Sequence, residues 1–213
     1  MATINQGILG PFSGKVGTVV GAIWKGIATI RSYNPNVTNP NTPAQQEQRA
    51  KFGLMVSFLR PFLALLNLGF GLKAIKQTAF NAAMKYNMAN AITGVYPAFS
   101  IDYSKVLLGE GNLPAALNAA AVSVLANKID FTWDDNSTEG GADPLDKIVI
   151  SVYHPVLKKA VSVIGAATRT AGTQTVTVPD VWASATVQTY IGFTNANEDV
   201  VSNIEFLAAV MVA

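Results

Sequence analysis

The sequence predicts an α+β fold: an N-terminal β-ribbon and a helical hairpin, followed by an antiparallel β-sandwich. Three observations predict it. Glycines recur among Val and Ile over the first 32 residues, a strong helix start stands at residues 41–45, and beyond residue 114 the hydrophobic period is closer to two than to 3.6. The expected division is therefore residues 1–113 for the ribbon and helical region and residues 114–213 for the sandwich.

The ribbon comes first. Residues 7–32 place Gly at 7, 10, 14, 17, 21 and 26, and strands over 16–20 and 22–32 would form a hairpin or bent ribbon whose glycines mark bulges or close backbone contacts. A phosphate-cradling loop at GKVGTVVG is rejected, because Lys15 is followed by Val and no strand leads into a helix there. Residues 33–41, YNPNVTNPN, read as an extended connector. Such a tether lets the ribbon pair with a neighbouring copy.

Thr42 is placed to cap a helix, Pro43 suits its first position, and Gln45 stands where a capping box needs an amide. Phe52, Met55, Val56, Leu59, Leu63 and Leu66 form its apolar stripe, Arg49, Lys51 and Arg60 make it basic, and Pro61 should kink it near Leu59. A second helix over 72–91 carries Ile75, Ala79, Phe80, Ala83 and Met84, completing an αα-hairpin. These stripes are read as core rather than as a ligand groove.

Residues 99–108 alternate imperfectly as a strand, and 109–114 read as a turn. Seven strands are then expected, over 117–125, 128–133, 147–153, 160–164, 173–178, 186–193 and 201–211, separated by turn-rich segments. The pattern around Trp133, residues 151–153 and Tyr190 resembles the immunoglobulin and fibronectin type III architecture. Sandwiches of that kind host many functions.

Half of the 213 residues are hydrophobic and 13% are charged, against about 25% in a typical globular protein, so either part of the apolar surface meets a partner or an Ala- and Val-rich fold simply needs few charges. Residues 1–86 hold nine bases and one acid, Glu47, for a net +8. Residues 87–213 hold six bases and twelve acids, for −6. Opposed halves can attract within a chain or between copies, and the nearly neutral whole argues against a dedicated nucleic-acid binder. With no Cys, a disulfide framework and a thiolate zinc site are both excluded. The start lacks the basic and apolar regions of a secretory signal, and no uncharged apolar run reaches the roughly 18 residues of a membrane span. A cytoplasmic or virion-like location is expected.

Chemistry-bearing residues are sparse. His154, before Pro155, suits a turn hydrogen bond or solvent exposure better than catalysis. The acidic loop Asp134, Asp135, Asn136, Glu139, Asp143 and Asp146 supplies oxygen atoms for a hard cation but lacks the EF-hand order, and a solvated loop is the preferred reading. Asp134 and Asp135 as paired catalytic carboxylates lack any cleft. The N-terminal bases interleaved with Trp24, Tyr33 and Phe52 could meet nucleic acid, but no dense basic tract forms. No catalytic, cofactor or metal residue is assigned.

The segments GILGPFSGKVGTVVGAIWKGIATIRS, NTPAQQEQRAKF, AITGVYPAFSIDYSKVLLGEGNLP and IDFTWDDNS together make the chain resemble, over nearly its whole length, a family from Bacteroidota and their mobile elements known only as a domain of unknown function. The resemblance implies a bacterial or phage-associated origin and brings no activity or functional residues. Pro11 departs from the family's second Gly and would stiffen the turn before the ribbon.

The expectation is a non-enzymatic, self-associating structural protein of a phage-like particle or filament, its main partner further copies of itself. Its interface would use Lys15, Trp24, Lys25, Arg31, Arg49, Phe206, Val210 and Met211, the last three from the apolar end FLAAVMVA, which must be covered by its own sheet or a neighbour. The alternative is a sandwich module binding carbohydrate or protein, favoured if Trp133, Tyr153 or Trp182 is exposed. The third is a nucleic-acid-associated protein acting through the basic half.

Overall fold

The computed structural model describes residues 3–4 and 10–213, so Gly7 of the expected ribbon lies outside the described residues. The chain is mostly β-strand in several sheets, with helices, and divides into two compact units, Met1–Pro43 and Ala44–Ala213.

The first unit is an antiparallel meander of β1 (Thr3–Ile4), β2 (Phe12–Val16), β3 (Val19–Trp24) and β4 (Ile27–Ser32), in that order. The strand expected over 16–20 crosses a turn, because Gly17, with φ 55°, opens the two-residue loop that joins Val16 to Val19. The strand expected over 22–32 is two strands. Lys25 and Gly26 both have positive φ, 47° and 77°, between the paired residues Trp24 and Ile27. Such a two-residue loop matches the right-handed twist of its flanking strands. The Tyr33 N–H then closes on the Thr18 carbonyl at 2.7 Å, and residues 34–42 run exposed, without helix or strand, as the Asn/Pro composition predicts.

In the second unit α1 (Pro43–Leu59) begins at the predicted proline and gives way to a 3-10 turn, Arg60–Phe62, before α2 (Leu63–Gly69). Pro61 accounts for the break, since its ring and missing N–H disrupt the helical ladder. The buried face is Met55, Phe58, Leu59, Phe62, Leu65 and Leu66, rotated from the expected stripe, which leaves Phe52 and Leu63 about half exposed. The tighter 3-10 turn explains the shift after Pro61, because it advances each residue further around the axis than an α-helix does. By length and composition alone Pro43–Gly69 could cross a membrane. The core face just described accounts for that apolarity.

The second main helix, α3 (Ala79–Asn90), is shorter than the expected 72–91. The Thr78 side chain accepts the Asn81 N–H at 3.1 Å as its cap, and Lys76 at φ 55° keeps the preceding residues in turns. The hairpin β5 (Ile92–Val95) and β6 (Ala98–Ile101) was not foreseen. The strand expected over 99–108 is interrupted by a 3-10 turn at Tyr103–Lys105, capped by Asp102, before β7 (Leu107–Gly109).

All seven strands expected between residues 117 and 211 are present: β8 (Leu117–Val122), β9 (Lys128–Asp134), β10 (Lys147–His154), β11 (Lys159–Thr168), β12 (Thr173–Thr177), β13 (Thr186–Thr194) and β14 (Ile204–Met211). They form a five-stranded sheet, β11-β10-β13-β14-β7, and a three-stranded sheet, β12-β9-β8. The boundary expected at 113/114 falls inside this unit. β7 lies before it yet pairs with β14, and the Asn87 side chain of α3 both donates to and accepts from the Leu107 backbone, at 2.9 and 3.0 Å.

Both faces of the five-stranded sheet are covered. Val149, Tyr153 and Tyr190 pack with the helices, while Ile148, Ile150, Val152, Val187, Ile191 and Phe193 share a core with Ile129, Phe131, Trp133 and Val176 of the smaller sheet. In β14, Phe206 pairs with Tyr190 and Ala208 with Thr189, so Leu207 is an extra, bulged residue. The bulge switches faces: Ile204 and Phe206 join the helical core, and Val210 and Val212 join the core between the sheets. Of the residues expected at an assembly interface, Val210 is thereby buried and Phe206 half-buried. Phe206 packs edge-on to Tyr190 at 5.9 Å, and Val210 is 8% exposed. At the apolar chain end Val210 and Val212 are covered by the core between the sheets, whereas Met211 is 69% exposed.

Phe58, Phe62, Tyr103, Tyr153 and Tyr190 make a continuous aromatic cluster on the helical face, with Phe58 and Tyr153 edge-to-face at 4.9 Å. Burial pushes the Tyr153 hydroxyl up to about 12 and holds that of Tyr190 well above its ordinary value near 10. The folded state thus keeps these phenols neutral where the unfolded chain would ionise them. The Tyr153 contribution is complete below about pH 10 and is lost as pH rises through about 12, and that of Tyr190 is likewise lost only as pH rises through its raised value. The buried Tyr190 hydroxyl also makes no hydrogen bond. Tyr190→Phe should raise stability at neutral pH by about 1 kcal/mol and flatten the loss of melting temperature above pH 10, both measurable by thermal denaturation.

Candidate interaction surfaces

The ribbon has almost no interior. Among the described residues of the first unit Gly21 alone is buried. Cross-strand pairing puts Trp24 beside Ile27, and Val20 between Lys15 and Arg31, on one face; Ile30, Ile23 and Val16 share the other. Trp24 is 50% and Ile30 68% exposed. The Lys15 ammonium sits 3.5 Å from the centre of the Tyr33 ring, and that of Lys25 lies 5.5 Å from the Trp24 ring. All six residues of β4 are exposed, and it is an edge strand of the described sheet.

Of the interface residues expected from sequence, Lys15, Trp24, Lys25 and Arg31 come together on this ribbon. Arg49 is exposed on α1 and Met211 at the end of β14, both in the second unit. Gly21 is required where the Phe12 backbone crosses β3: a Cβ there would lie 2.3 Å from the Phe12 carbonyl oxygen. Gly21→Ala should disrupt the ribbon and any assembly it supports while leaving the main thermal transition of residues 44–213 in place, as calorimetry combined with native-mass measurement would show.

The acidic loop carries its own cation. Its one buried carboxylate, Asp146, accepts from Arg169 Nε at 3.1 Å and forms an ion pair with Nη2, also at 3.1 Å, and Arg169 is itself fully buried. The guanidinium also donates to Asn136 and to the Pro114 carbonyl, and stacks 3.9 Å above the centre of the Phe193 ring. The remaining acids point to different places: Asp134 accepts from the Asn118 amide, Asp135 from the Ser137 N–H and Asp143 from the Leu145 N–H. No group of three or more potential metal ligands converges among the described residues. Asp134 and Asp135 do not form a catalytic pair.

Nothing in the sequence around Arg169 marks it, since a lone Arg between strands gives no sign of the carboxylate 23 residues earlier that it meets. Arg169→Ala strands Asp146 in the interior and should cost about 3–5 kcal/mol in urea unfolding, with Asp146→Asn in the same background recovering part of the loss.

The aromatic residues that would make a sugar platform face inward. Trp133, Tyr153 and Trp182 are at most 4% exposed, and Trp133 Nε1 donates to the Arg169 carbonyl at 2.7 Å. His154 is not solvent-exposed, because it packs against the Trp182 ring; its Nδ1 accepts the Leu157 N–H at 3.2 Å, the turn hydrogen bond that is the other expectation for its position before Pro155.

A β-rich unit with a helical layer, preceded by a coreless ribbon, defines the class of protein. The chain belongs to a family of unknown function, DUF6266, whose model matches residues 11–208. No curated protein matches it. Among solved structures, the fibronectin type III domain of the human collagen α-1(XX) chain is 19% identical and matches over 49% of this chain and 90% of its own, with a TM-score of 0.33. A likeness that loose carries no conclusion about fold or ligand.

Proposed function

We propose that the protein is a non-enzymatic structural protein that self-associates through its N-terminal ribbon. The observation that carries this reading is a β-sheet whose described residues form no core: apolar side chains stand exposed on both faces, and β4 offers a six-residue edge. Isolated sheets of this size are marginal in water, and unprotected edges are templates for pairing. A second ribbon satisfies both demands. Ile30 and Ile23 supply apolar area, Thr29 and Ser32 leave the edge uncharged except at Arg31, and the 34–42 connector gives the ribbon reach. A phage-like particle or filament in Bacteroidota is the setting we propose, supported by the motif resemblance. For the second unit we propose an immunoglobulin- or fibronectin III-like sandwich, supported by the core that the five- and three-stranded sheets share.

Ile30→Lys places a charge at the centre of the exposed face without touching the second unit's cores. Light scattering of the full-length protein should show large species for the wild type and at least a roughly tenfold weaker association for the variant, since charge at an apolar contact is costly to desolvate. A wild type that stays monomeric at high concentration would overturn the reading.

A further inference from the structure

The second unit carries a groove that the ribbon does not explain. It lies between α1 and the turn joining β10 to β11, encloses about 650 Å³, and has Arg60, Lys158 and Lys159 around an apolar floor that includes Val56 and Pro61. No acidic side chain lines it, and among the described residues none of the three cations forms an ion pair. Gly53, also on its wall, stands in the middle of α1, where glycine weakens a helix relative to alanine. A Cβ at that position would meet nothing within 4 Å, so no contact within the chain requires the glycine. It leaves the helix backbone bare toward the groove, which suits an occupant that approaches closely.

The complementary charge lies on the same unit at the far end of β10. The loop of residues 134–146 enters β10 at Lys147, whereas the groove-forming turn follows His154, eight residues or about 25 Å along the strand. Asp134, Asp135, Glu139 and Asp143 are exposed on that loop, and among the described residues they form no ion pair. One rigid strand holds loop and groove apart, so a molecule has no means of placing its own loop in its own groove.

We propose that the groove between α1 and the β10–β11 turn receives the acidic loop of a second copy, docked head to tail. The contact rests on the self-association proposed above but is separate from the ribbon. Because donor and acceptor surfaces differ, it is heterologous and propagates into a ring or an open chain rather than closing as a two-fold dimer. Charge complementarity sets its direction, and the bare helix at Gly53 gives the loop's glycines, Gly140 and Gly141, room to approach.

A charge swap in the full-length protein tests this by sedimentation at low and high salt. Lys158→Glu with Lys159→Glu should weaken association roughly tenfold at low ionic strength, as should Asp135→Lys with Glu139→Lys, and salt should weaken wild-type association. Mixing the two variants should restore assembly, because each then offers the other a complementary end; restoration also shows that both are folded. If both double variants associate like the wild type while Ile30→Lys abolishes assembly, the groove proposal is overturned and the ribbon reading stands. If Ile30→Lys assembles normally while the double variants do not, the groove proposal holds and the ribbon reading falls. Failure of the mixture to regain assembly, or a wild type that is monomeric at low salt, overturns the groove proposal.

Discussion

The second unit depends on a sheet that must be buried on both sides. β10 and β13 have almost no exposed residue, and their alternate side chains enter two different cores. A strand pair of that kind is unstable unless both layers are supplied, which ties the helices on one side and the three-stranded sheet on the other into a single cooperative object. The Leu207 bulge lets β14 serve both: its first half packs under the helices and its second half between the sheets.

Polar groups are admitted only where they join segments. Arg169 binds the 114, 136 and 146 regions and the face of Phe193 at one point, and Asn87 fixes α3 to β7 through both of its amide atoms. Each joint is satisfied in several directions, which is the condition for burying a charge or an amide without loss. The buried hydroxyl of Tyr190, which lacks that satisfaction, is the exception on the helical face.

Local rules carried much of the architecture. Pro43 marks where α1 starts and Pro61 where it breaks, and period-two runs locate all seven C-terminal strands, because these signals are written in neighbouring residues. Long-range choices were not legible. Period two in FLAAVMVA says nothing of the bulge that sends Phe206 and Val210 to different cores, and the pairing of β7 with β14 moves the division of the chain from 113/114 to 43/44. Of the expected interface, the ribbon residues Lys15, Trp24, Lys25 and Arg31 share a sheet, while at the apolar chain end Val210 is core, Phe206 half-buried and Met211 exposed. Arg169 and the groove at Lys158 and Lys159 were invisible, since each is assembled from segments far apart in sequence.

The ribbon stands in contrast to the doubly buried sheet: it has strands, turns and register, yet its side chains reach no interior of its own. We propose that other copies cover it. Hydrogen–deuterium exchange of the full-length protein across a concentration series tests this most directly. The backbone amides of β4 should gain protection as concentration rises, while those of β10 and β13 stay protected throughout. Rapid exchange along β4 at every concentration, including those at which large species form, would contradict it.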